Sequence, residues 1–438
     1  MGEHRTTHSE IDHLGRRDRA VLVGMDRGNS EWPLDESLAE LERLAQTAGA
    51  DVVARITQKM DRPNPRTFIG KGKAEEVLET VKELDATLVI FDDDLTPSQQ
   101  ANLENMIPET KIADRTGLIL DIFALHATSR EGRLQVELAQ MEYLLPRLRG
   151  LWRHLDKYAG GGVMTRGPGE SQLETDRRLA RRRVSELKRE LKGVSVEREL
   201  QRKSRARSGV YRVALVGYTN AGKSTLLNAI TGAGVLQADM LFATLDSTTR
   251  RLALPEGREI TLTDTVGFIH KLPHGLVEAF KSTLDEVREA DLQVLVTDAG
   301  SSQREGQMQA VREVLQEIGA SDAPSVVVFN KMDTLPEDER SSLARRYPGA
   351  LFVSGLNGDG MESILARIAE EAARGSVTLT ALVPYTRGDL LGVAHERAQI
   401  LSERHTEDGT QLVLRADREV AARFEEFLVE GTAVLETE

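Results

Sequence analysis

Apolar and polar residues alternate along the first third of the chain in two recurring patterns. Amphipathic stretches, in which apolar side chains return every three or four residues, lie between short apolar runs. The short runs predict strands at 21–23, 52–56, 88–91 and 112–114. The amphipathic stretches predict helices at 37–48, 77–84 and 96–106, with Asp35 or Glu36 capping the first. Strands that alternate with helices in this way predict a parallel sheet covered by helices.

The pattern changes at Gly132, beyond which strand-like runs give way to helical spacing alone. Two sets of apolar residues recur at this spacing: Leu134, Leu138, Met141 and Leu145, then Ala180, Val184, Leu187 and Leu191. They predict two long helices that pair antiparallel, because a glycine-dense loop at 160–170 connects them. The loop is either a linker or a tip that becomes ordered against a partner, and Arg166 at its centre favours the tip.

The second half of the chain returns to alternating strands and helices. Buried strands are predicted at 213–216, 251–254, 260–263, 292–297, 326–329 and 351–353. Near the end, short strand runs at 380–383 and 412–414 and a helix at 420–428 predict a small α+β unit. The predicted fold class is α/β, with a mobile tail at 1–17, an α/β domain at 18–130, a basic helical hairpin at 131–208, a second α/β domain at 209–376 and the α+β domain at 377–438.

Charge separates the predicted hairpin from the rest of the chain. The 438 residues carry a formal net charge of −13, yet basic residues crowd the stretch from Arg147 to Arg207. A local basic region on an acidic chain predicts contact with a polyanion at that place. The chain has no cysteine, which excludes disulfides and thiolate chemistry. Because no apolar run reaches about 18 residues, we expect a cytoplasmic protein, with loose membrane association left open. We also expect a monomer.

The segment with the most specific chemistry follows the strand predicted at 213–216. Residues 217–224 match the pattern G-x-x-x-x-G-K-[ST], and apolar residues at helical spacing come directly after it. Gly217 and Gly222 allow backbone N–H groups to turn towards phosphate oxygens, and the helix N-terminus adds its positive dipole end. Lys223 would neutralise the β- and γ-phosphates, and the Ser224 hydroxyl would bind Mg²⁺. This P-loop (residues 217–224) predicts a nucleoside triphosphate site.

Two later strand ends carry residues that would select guanine. The sequence Asn-Lys-Met-Asp at 330–333 closes the strand predicted at 326–329. The Asp333 carboxylate can accept from N1–H and the 2-amino group of guanine, whereas adenine has no donors there, so ATP should bind much more weakly. Lys331 would cover the base face, Asn330 would join this loop to the P-loop, and a backbone N–H at 354–356 would meet guanine O6.

Two further segments would sense the γ-phosphate. The sequence Asp-Thr-Val-Gly at 264–267 ends the strand at 260–263; Asp264 would hold Mg²⁺ through water, and the Gly267 N–H would meet the γ-phosphate. Residues 241–250, called here the switch segment, lie before the next strand and must supply a threonine that binds Mg²⁺. Thr244 is the first choice and Thr248 the second.

The candidate site is therefore large, and three of its members, Lys223, Thr244 and Gly267, are the catalytic candidates. Ser224 and Thr244 are the predicted protein ligands of Mg²⁺, the predicted cofactor. The full set of predicted GTP-binding residues is Gly217, Tyr218, Thr219, Asn220, Ala221, Gly222, Lys223, Ser224, Thr225, Phe242, Ala243, Thr244, Leu245, Asp246, Asp264, Thr265, Val266, Gly267, Asn330, Lys331, Met332, Asp333, Ser354, Gly355 and Leu356.

A second phosphate site is conceivable at residues 70–73, where Gly-Lys-Gly-Lys opens a predicted helix. The segment lacks the P-loop spacing, so a plain solvated turn is the competing interpretation. If it bound ATP, the chain would be an ATP-dependent RNA remodeller rather than a GTPase.

These motifs together resemble the translation-factor-like GTPases and, within them, the HflX family. The family likeness rests on Phe-Ala-Thr-Leu-Asp at 242–246, on the segment 264–269 with Leu272-Pro273-His274, and on the glycine-rich loop at 160–170. It implies a Ras-like P-loop G domain between the N-terminal α/β domain with its hairpin and a small C-terminal domain. Two positions depart from the family pattern: Gly355 replaces the usual alanine, and Ser247 stands where proline is frequent.

The resemblance implies GTP hydrolysis coupled to binding of the large ribosomal subunit, with splitting of stalled ribosomes under stress. The predicted contacts with ribosomal RNA are Arg153, Gly161, Arg166 and Gly167. The alternative, from a different functional class, is a GTP-regulated binding module without splitting activity, such as a ribosome-assembly factor, in which hydrolysis only resets the protein.

Phe268 indicates how hydrolysis would be controlled. Ras-like enzymes place a water-orienting glutamine directly after D-x-x-G, and Phe268 cannot polarise water. We therefore expect slow hydrolysis by the free protein and a partner that completes the site. His270 and His274 are candidate bases, with a structural or surface role as the alternative for each.

Overall fold

The fold was analysed in a computed structural model of the chain. The structure describes residues 17–28, 32–148, 169–207, 210–232, 241–242, 244–255, 257–273, 276, 281–374, 376–429 and 435–436. Outside these residues lie positions 1–16 of the predicted tail, positions 160–168 of the glycine-rich loop, Ala243 and His274. The predicted ribosome contacts Arg153, Gly161, Arg166 and Gly167 also lie outside them.

The N-terminal part is a four-stranded parallel sheet in the order β2-β1-β3-β4. Its strands are β1 (Arg19–Asp26), β2 (Asp51–Lys59), β3 (Leu88–Phe91) and β4 (Lys111–Asp114). Its helices are α1 (Leu34–Thr47), α2 (Lys71–Glu83), α3 (Pro97–Met106) and α4 (Arg115–His126). The predicted parallel sheet with helices is confirmed, and α4 is an addition that the sequence pattern did not reveal.

The predicted cap of the first helix is wrong. Pro33 occupies the N-cap position of α1 without a side-chain hydrogen bond, so the helix begins before Asp35 and Glu36. Both acidic residues lie in the first turn instead, where they still interact favourably with the positive end of the helix dipole.

Two helices follow and pack against each other: α5 (Arg130–Leu144) and α6 (Gly169–Arg207). Leu134 and Leu138 of α5 bury their side chains with Leu187 of α6, at positions that the helical spacing predicted. An ion pair between Arg183 and Glu137, at 2.7 Å, joins the same two helices. The predicted pairing of two long helices is therefore confirmed.

The second sheet has six strands in the order β10-β9-β8-β5-β7-β6, of which only the edge strand β6 runs antiparallel. The strands are β5 (Tyr211–Gly217), β6 (Thr248–Ala253), β7 (Glu259–Asp264), β8 (Leu292–Asp298), β9 (Ser325–Asn330) and β10 (Leu351–Phe352). The helices are α7 (Lys223–Thr231), α8 (Lys281–Arg288), α9 (Arg304–Glu317), α10 (Glu337–Arg346) and α11 (Met361–Ala373). All six predicted strands are confirmed, and the P-loop lies at the carboxyl end of the central strand β5, where α/β sheets bind ligands.

The C-terminal part is a small antiparallel sheet in the order β12-β13-β11-β14. It contains β11 (Ser376–Val383), α12 (Gly388–Arg397), β12 (Gln399–Thr406), β13 (Gly409–Asp417), α13 (Arg418–Ala422) and β14 (Leu435–Glu436). The helix predicted at 420–428 is confirmed only in part: the α-helix ends at Ala422, and a single 3-10 turn follows at Glu425–Phe427. Val429 N–H then donates to Thr380 O, which joins the chain to β11. No helix in the described part of the chain is long and apolar enough to cross a membrane.

One apolar core continues from the N-terminal helices to the second sheet. It includes Phe123 of α4, Trp32 before α1, and Tyr218, Phe242 and Phe268 around the P-loop. The N-terminal part therefore packs directly against the elements that surround the P-loop.

Candidate functional site

The P-loop joins a buried strand to a helix whose N-terminus faces the loop. Gly222, the N-cap of α7, has a φ of 87°, and a Cβ there would lie 2.4 Å from Nδ2 of Asn330. A Cβ on Gly217 would lie 2.2 Å from the carbonyl oxygen of Val296 in the neighbouring strand β8. Both positions therefore require glycine, as the phosphate-loop interpretation predicts.

Lys223 lies buried at the centre of this loop. Its Nζ donates to the carbonyl oxygens of Gly217 and Tyr218, at 3.2 and 3.0 Å. Burial lowers the pKa of Lys223 to about 8, against the opposing attraction of Asp264. The ammonium group is thus poorly solvated and only partly compensated, which favours an anion that approaches the loop.

Three oxygen-bearing side chains meet next to Lys223. Ser224 Oγ donates to Asp264 Oδ2 at 2.6 Å and lies 2.9 Å from Oγ1 of Thr244. The other carboxylate oxygen of Asp264, Oδ1, is buried and has no hydrogen-bond partner among the described residues. Burial raises the pKa of Asp264, while Lys223, Ser224 and Thr244 partly offset this effect. Oxygen ligands with one buried carboxylate oxygen left unpaired fit the chemistry of Mg²⁺.

The D-x-x-G glycine lies against the P-loop. A Cβ on Gly267 would lie 2.7 Å from Cα of Thr219 and 3.2 Å from Nζ of Lys223. The next residue fixes this approach, because Phe268 N–H donates to Gly217 O at 3.1 Å and Thr219 N–H donates to Phe268 O at 2.7 Å. The Phe268 side chain is fully buried, so no polar group stands at the position after D-x-x-G.

Asn330 joins its own loop to the P-loop and to the loop at 354–356. Its Nδ2 donates to Ala221 O at 3.0 Å, as the sequence predicts, and its Oδ1 accepts from the Gly355 N–H at 2.9 Å. The Asp333 carboxylate accepts from Ser354 Oγ at 2.5 Å. The structure therefore brings together the loops at 217–224, 330–333 and 354–356, which are far apart in the sequence.

Lys331 is held by a residue that sequence reasoning missed. It has a φ of 63°, and its Nζ pairs with Asp298 Oδ2 at 2.8 Å. Asp298 ends β8, next to the strand that leads to Lys331, so the carboxyl edge of the sheet was the available signal. At the family-atypical Gly355, a Cβ would meet its nearest neighbours at 3.4 Å, an ordinary contact that leaves room for alanine.

Several predicted site residues direct their side chains elsewhere. Thr265 Oγ1 donates to Leu215 O at 2.7 Å, the Phe242 ring packs against Phe123 at 4.7 Å, and the Asp246 carboxylate accepts from Thr128 at 2.7 Å. The side chains of Leu245, Val266 and Met332 are buried in the apolar core. These residues could meet a nucleotide through their backbone only.

Three family models match the chain: "GTP-binding GTPase N-terminal" over 35–124, "GTP-binding GTPase Middle Region" over 126–205 and "50S ribosome-binding GTPase" over 212–331. The GTPase HflX of Caldanaerobacter subterraneus is 45% identical over 96% of this chain and 96% of its own length. The chain belongs to the HflX family of GTPases. It is a GTP hydrolase.

A second curated relative and a solved structure also match most of the chain. The GTPase HflX of Escherichia coli is 44% identical over 86% of this chain and 88% of its own length. Among solved structures, the complex of SsGBP with GDP is 27% identical, covers 81% of this chain and 98% of its own, and has a TM-score of 0.45.

In this HflX chain, buried charges join the P-loop to the N-terminal part. Arg115 donates to Asp92 at 2.9 Å and to Glu40, and Glu40 also accepts from the Tyr218 hydroxyl. The same hydroxyl accepts from the His270 N–H at 2.6 Å. Burial raises the pKa of Glu40, while Arg115 and Tyr218 partly offset this effect.

The segment after Gly267 makes further contacts with the N-terminal part. Lys271 Nζ pairs with Asp92 at 2.6 Å and Asp93 at 2.9 Å. The His270 ring stacks on Trp32 with centroids 4.6 Å apart, and burial, Arg115 and Lys271 lower its pKa to about 4. This packing favours the structural role of His270 over the role of a base. The alternative phosphate segment shows Gly70 at the N-cap of α2, with Lys71 and Lys73 paired to glutamates of that helix.

Proposed function

We propose that GTP binds with its phosphates in the P-loop and its base beside Asp333. The observation that carries this proposal is Asn330, which joins the P-loop to the loop of Gly355 while Asp333 lies next to Ser354. The Asp333 carboxylate would accept from guanine N1–H and the 2-amino group, and the stem of Lys331, fixed by Asp298, would cover the base. Adenine offers no donors to this carboxylate.

Ser224 and Thr244 would hold Mg²⁺ directly, and Asp264 would hold it through water. The bound cation would neutralise phosphate charge. The support is the oxygen cluster of these three side chains and the unpaired Oδ1 of Asp264. Thr244 is preferred to Thr248, because Thr248 belongs to β6 and pairs across the sheet.

Charge stabilisation would dominate the hydrolytic step. Lys223 would stabilise charge that develops on the phosphates, and the Gly267 N–H would donate to a γ-phosphate oxygen. Phe268 is fully buried and leaves no water-orienting side chain at the glutamine position, so hydrolysis by the free protein should be slow. A partner would supply or align the missing group.

The partner we propose is the large ribosomal subunit, contacted by a basic stripe on α6. Four exposed residues define this stripe, and they are Arg178, Arg181, Arg189 and Lys192. Their spacing of three, eight and three residues places them on one face of the helix, opposite Leu187, which packs against α5. None of the four forms an ion pair with another described residue, whereas Arg183 on the inner side pairs with Glu137.

A basic helix face that forms no ion pair within the described part of the chain, on a protein of net charge −13, suits a polyanion such as ribosomal RNA. The family model named for 50S ribosome binding adds support. The predicted tip residues Arg166, Gly161, Gly167 and Arg153 belong to the same proposal. We infer that binding of the protein splits stalled ribosomes. We also infer that the chain divides into domains at 18–130, 131–208, 209–376 and 377–438, as predicted from the sequence.

Light scattering tests the splitting activity. Intact ribosomes mixed with the protein and a non-hydrolysable GTP analogue should lose scattering as the subunits separate. Constant scattering, with binding confirmed by co-sedimentation, would contradict splitting and support an assembly or binding factor instead. GTP turnover with and without purified large subunits tests the stimulation separately.

A further inference from the structure

Asp246 of the switch segment faces the N-terminal part of the chain. Its Oδ2 accepts from Thr128 N–H at 2.9 Å, from Thr128 Oγ1 at 2.7 Å and from Ser129 N–H at 2.6 Å, and its Oδ1 accepts from Ser129 Oγ. Four donors therefore converge on one carboxylate from residues more than a hundred positions away.

The carboxylate sits at the first turn of α5. Ser129 is the N-cap of this helix, with its Oγ accepting from Gly132 N–H at 2.8 Å, and the positive end of the helix dipole favours an anion there. A Cβ on Gly132 would lie 2.4 Å from Asp246 Oδ1, so glycine permits the approach. Although burial opposes ionisation, the hydrogen bonds from Ser129 and Thr128 hold the pKa of Asp246 below its ordinary value.

Thr244 lies between two anchors of the switch segment. On one side, Phe242 packs its ring against Phe123 of α4 and donates its N–H to Thr219 Oγ1 at 3.1 Å. On the other side, Asp246 is bound to Thr128 and Ser129. The Thr244 hydroxyl, held in this way, lies 2.9 Å from Ser224 Oγ.

We propose that Asp246 is a positioning residue for GTP hydrolysis, which fixes Thr244 against the Mg²⁺ site by fastening the switch segment to the first turn of α5. This inference rests on the assignment of Thr244 proposed above. It reassigns Asp246 from nucleotide contact to a link between the switch segment and the helix pair α5–α6.

The link works in both directions. Helix α5 packs on α6 through Leu134, Leu138 and Leu187 and through the ion pair of Glu137 with Arg183, so a shift of its first turn moves the pair. Because coupling free energies are reciprocal, a triphosphate that draws Thr244 into place also biases the position of the pair. A partner that holds the helix pair in that position therefore strengthens triphosphate binding.

The first test compares affinities for a non-hydrolysable GTP analogue and for GDP, by fluorescence titration with Mg²⁺. Thr128→Val removes one hydroxyl donor with little change of shape, and Asp246→Ala removes the carboxylate. Thr116→Val is the matched control, because Thr116 Oγ1 likewise donates to a carboxylate, that of Asp94, at the first turn of α4. Thr244→Ala is the reference for full loss of the sensing hydroxyl.

We expect Asp246→Ala to lower the preference for the triphosphate about tenfold, Thr128→Val to lower it about threefold, and Thr116→Val to leave it unchanged. If Thr244→Ala loses the preference while both link variants keep it within twofold, the link is refuted and the site assignment stands. If Thr244→Ala keeps the preference, the assignment itself is wrong. An equal loss of affinity for both nucleotides in Asp246→Ala would reduce Asp246 to a structural residue and overturn the proposal.

The second test measures the coupling to the helix pair. The chain contains no cysteine, so spin labels on Arg178→Cys of α6 and Gln316→Cys of α9 attach only where intended. We expect the distance distribution between the labels to differ between GDP and the triphosphate analogue, and this difference to vanish in Asp246→Ala. A nucleotide-dependent difference that survives in Asp246→Ala would contradict the link.

Discussion

Tyr218→Phe tests whether the P-loop is structurally joined to the N-terminal part through one hydroxyl group. The hydroxyl is buried, donates to Glu40 and accepts from the His270 N–H at 2.6 Å. Burial, reinforced by Glu40, raises the pKa of Tyr218 well above its ordinary value, so the hydroxyl keeps its proton at any working pH. Removing it leaves a buried carboxylate oxygen and a backbone N–H each short of one hydrogen bond.

Leaving a buried polar group unsatisfied costs about 1 to 3 kcal/mol, so the two together should lower the free energy of unfolding by about 3 kcal/mol. If the N-terminal part and the P-loop domain unfold together, their unfolding temperature should fall by about 5 °C. Calorimetry without nucleotide measures this change. GDP affinity should change little, because the backbone of the P-loop is unaltered. A loss of stability with unchanged GDP affinity would show that the Tyr218 hydroxyl stabilises the contact with the N-terminal part and is not needed for nucleotide binding.

Tyr347→Phe is the matched control. The Tyr347 hydroxyl donates to Glu305 at 3.0 Å in an exposed position, so its loss should cost less than about 0.5 kcal/mol. If Tyr218→Phe is no less stable than Tyr347→Phe, the buried network does not stabilise the contact between the two parts of the chain, and the reasoning fails.

Three further predictions concern specificity, the partner and pH. Asp333→Asn should weaken GTP binding at least about a hundredfold and improve binding of xanthosine triphosphate, whose 2-oxygen can accept from the new amide; calorimetry with both nucleotides checks this. Arg178→Glu with Arg189→Glu should weaken co-sedimentation with large subunits and lower the slope of log affinity against log salt by about 2, with GTP binding intact. GTP affinity should fall about fourfold from pH 7 to 8.5. The reason is that Lys223, with a pKa of about 8 in the free protein, must regain its proton to bind phosphates. A GTP affinity that stays constant over this pH range would contradict the lowered pKa.

The strands were predictable where burial leaves a plain apolar signature. Strand β3 has the bounds predicted from its apolar run, and the central strands of the second sheet differ by one or two residues. Helix α4 gave no such signal, because residues 118–123 are apolar on nearly every face and the helix is buried against both the sheet and α5. Strand β12 was missed for the opposite reason, since it lies at a sheet edge and most of its side chains are exposed.

The phosphate and base loops were predictable because each motif carries its chemistry within a few residues. Gly217, Gly222 and Asn330 have the close contacts that their motifs require. The contacts between the P-loop and the N-terminal part were not predictable. The sequence pattern predicts that Glu40 is an exposed residue of an amphipathic helix. Only the tertiary structure brings it to Tyr218, 178 positions away.

Asp246 shows the same limit within a motif. Its place in the switch segment suggested a nucleotide contact, whereas the folded chain directs its carboxylate to Thr128 and Ser129. Local sequence identifies which segments gather at a site. Which way each side chain points depends on neighbours that only the tertiary structure supplies.

The central claim is that one carboxylate, Asp333, selects guanine at a magnesium-dependent P-loop site. Titration calorimetry of the full chain with GTP and with ATP, each with and without Mg²⁺, tests it most directly. We predict tight, magnesium-dependent binding of GTP and binding of ATP that is weaker by at least about a hundredfold. Equal affinities for the two nucleotides, or no binding of GTP in magnesium buffer, would contradict the claim.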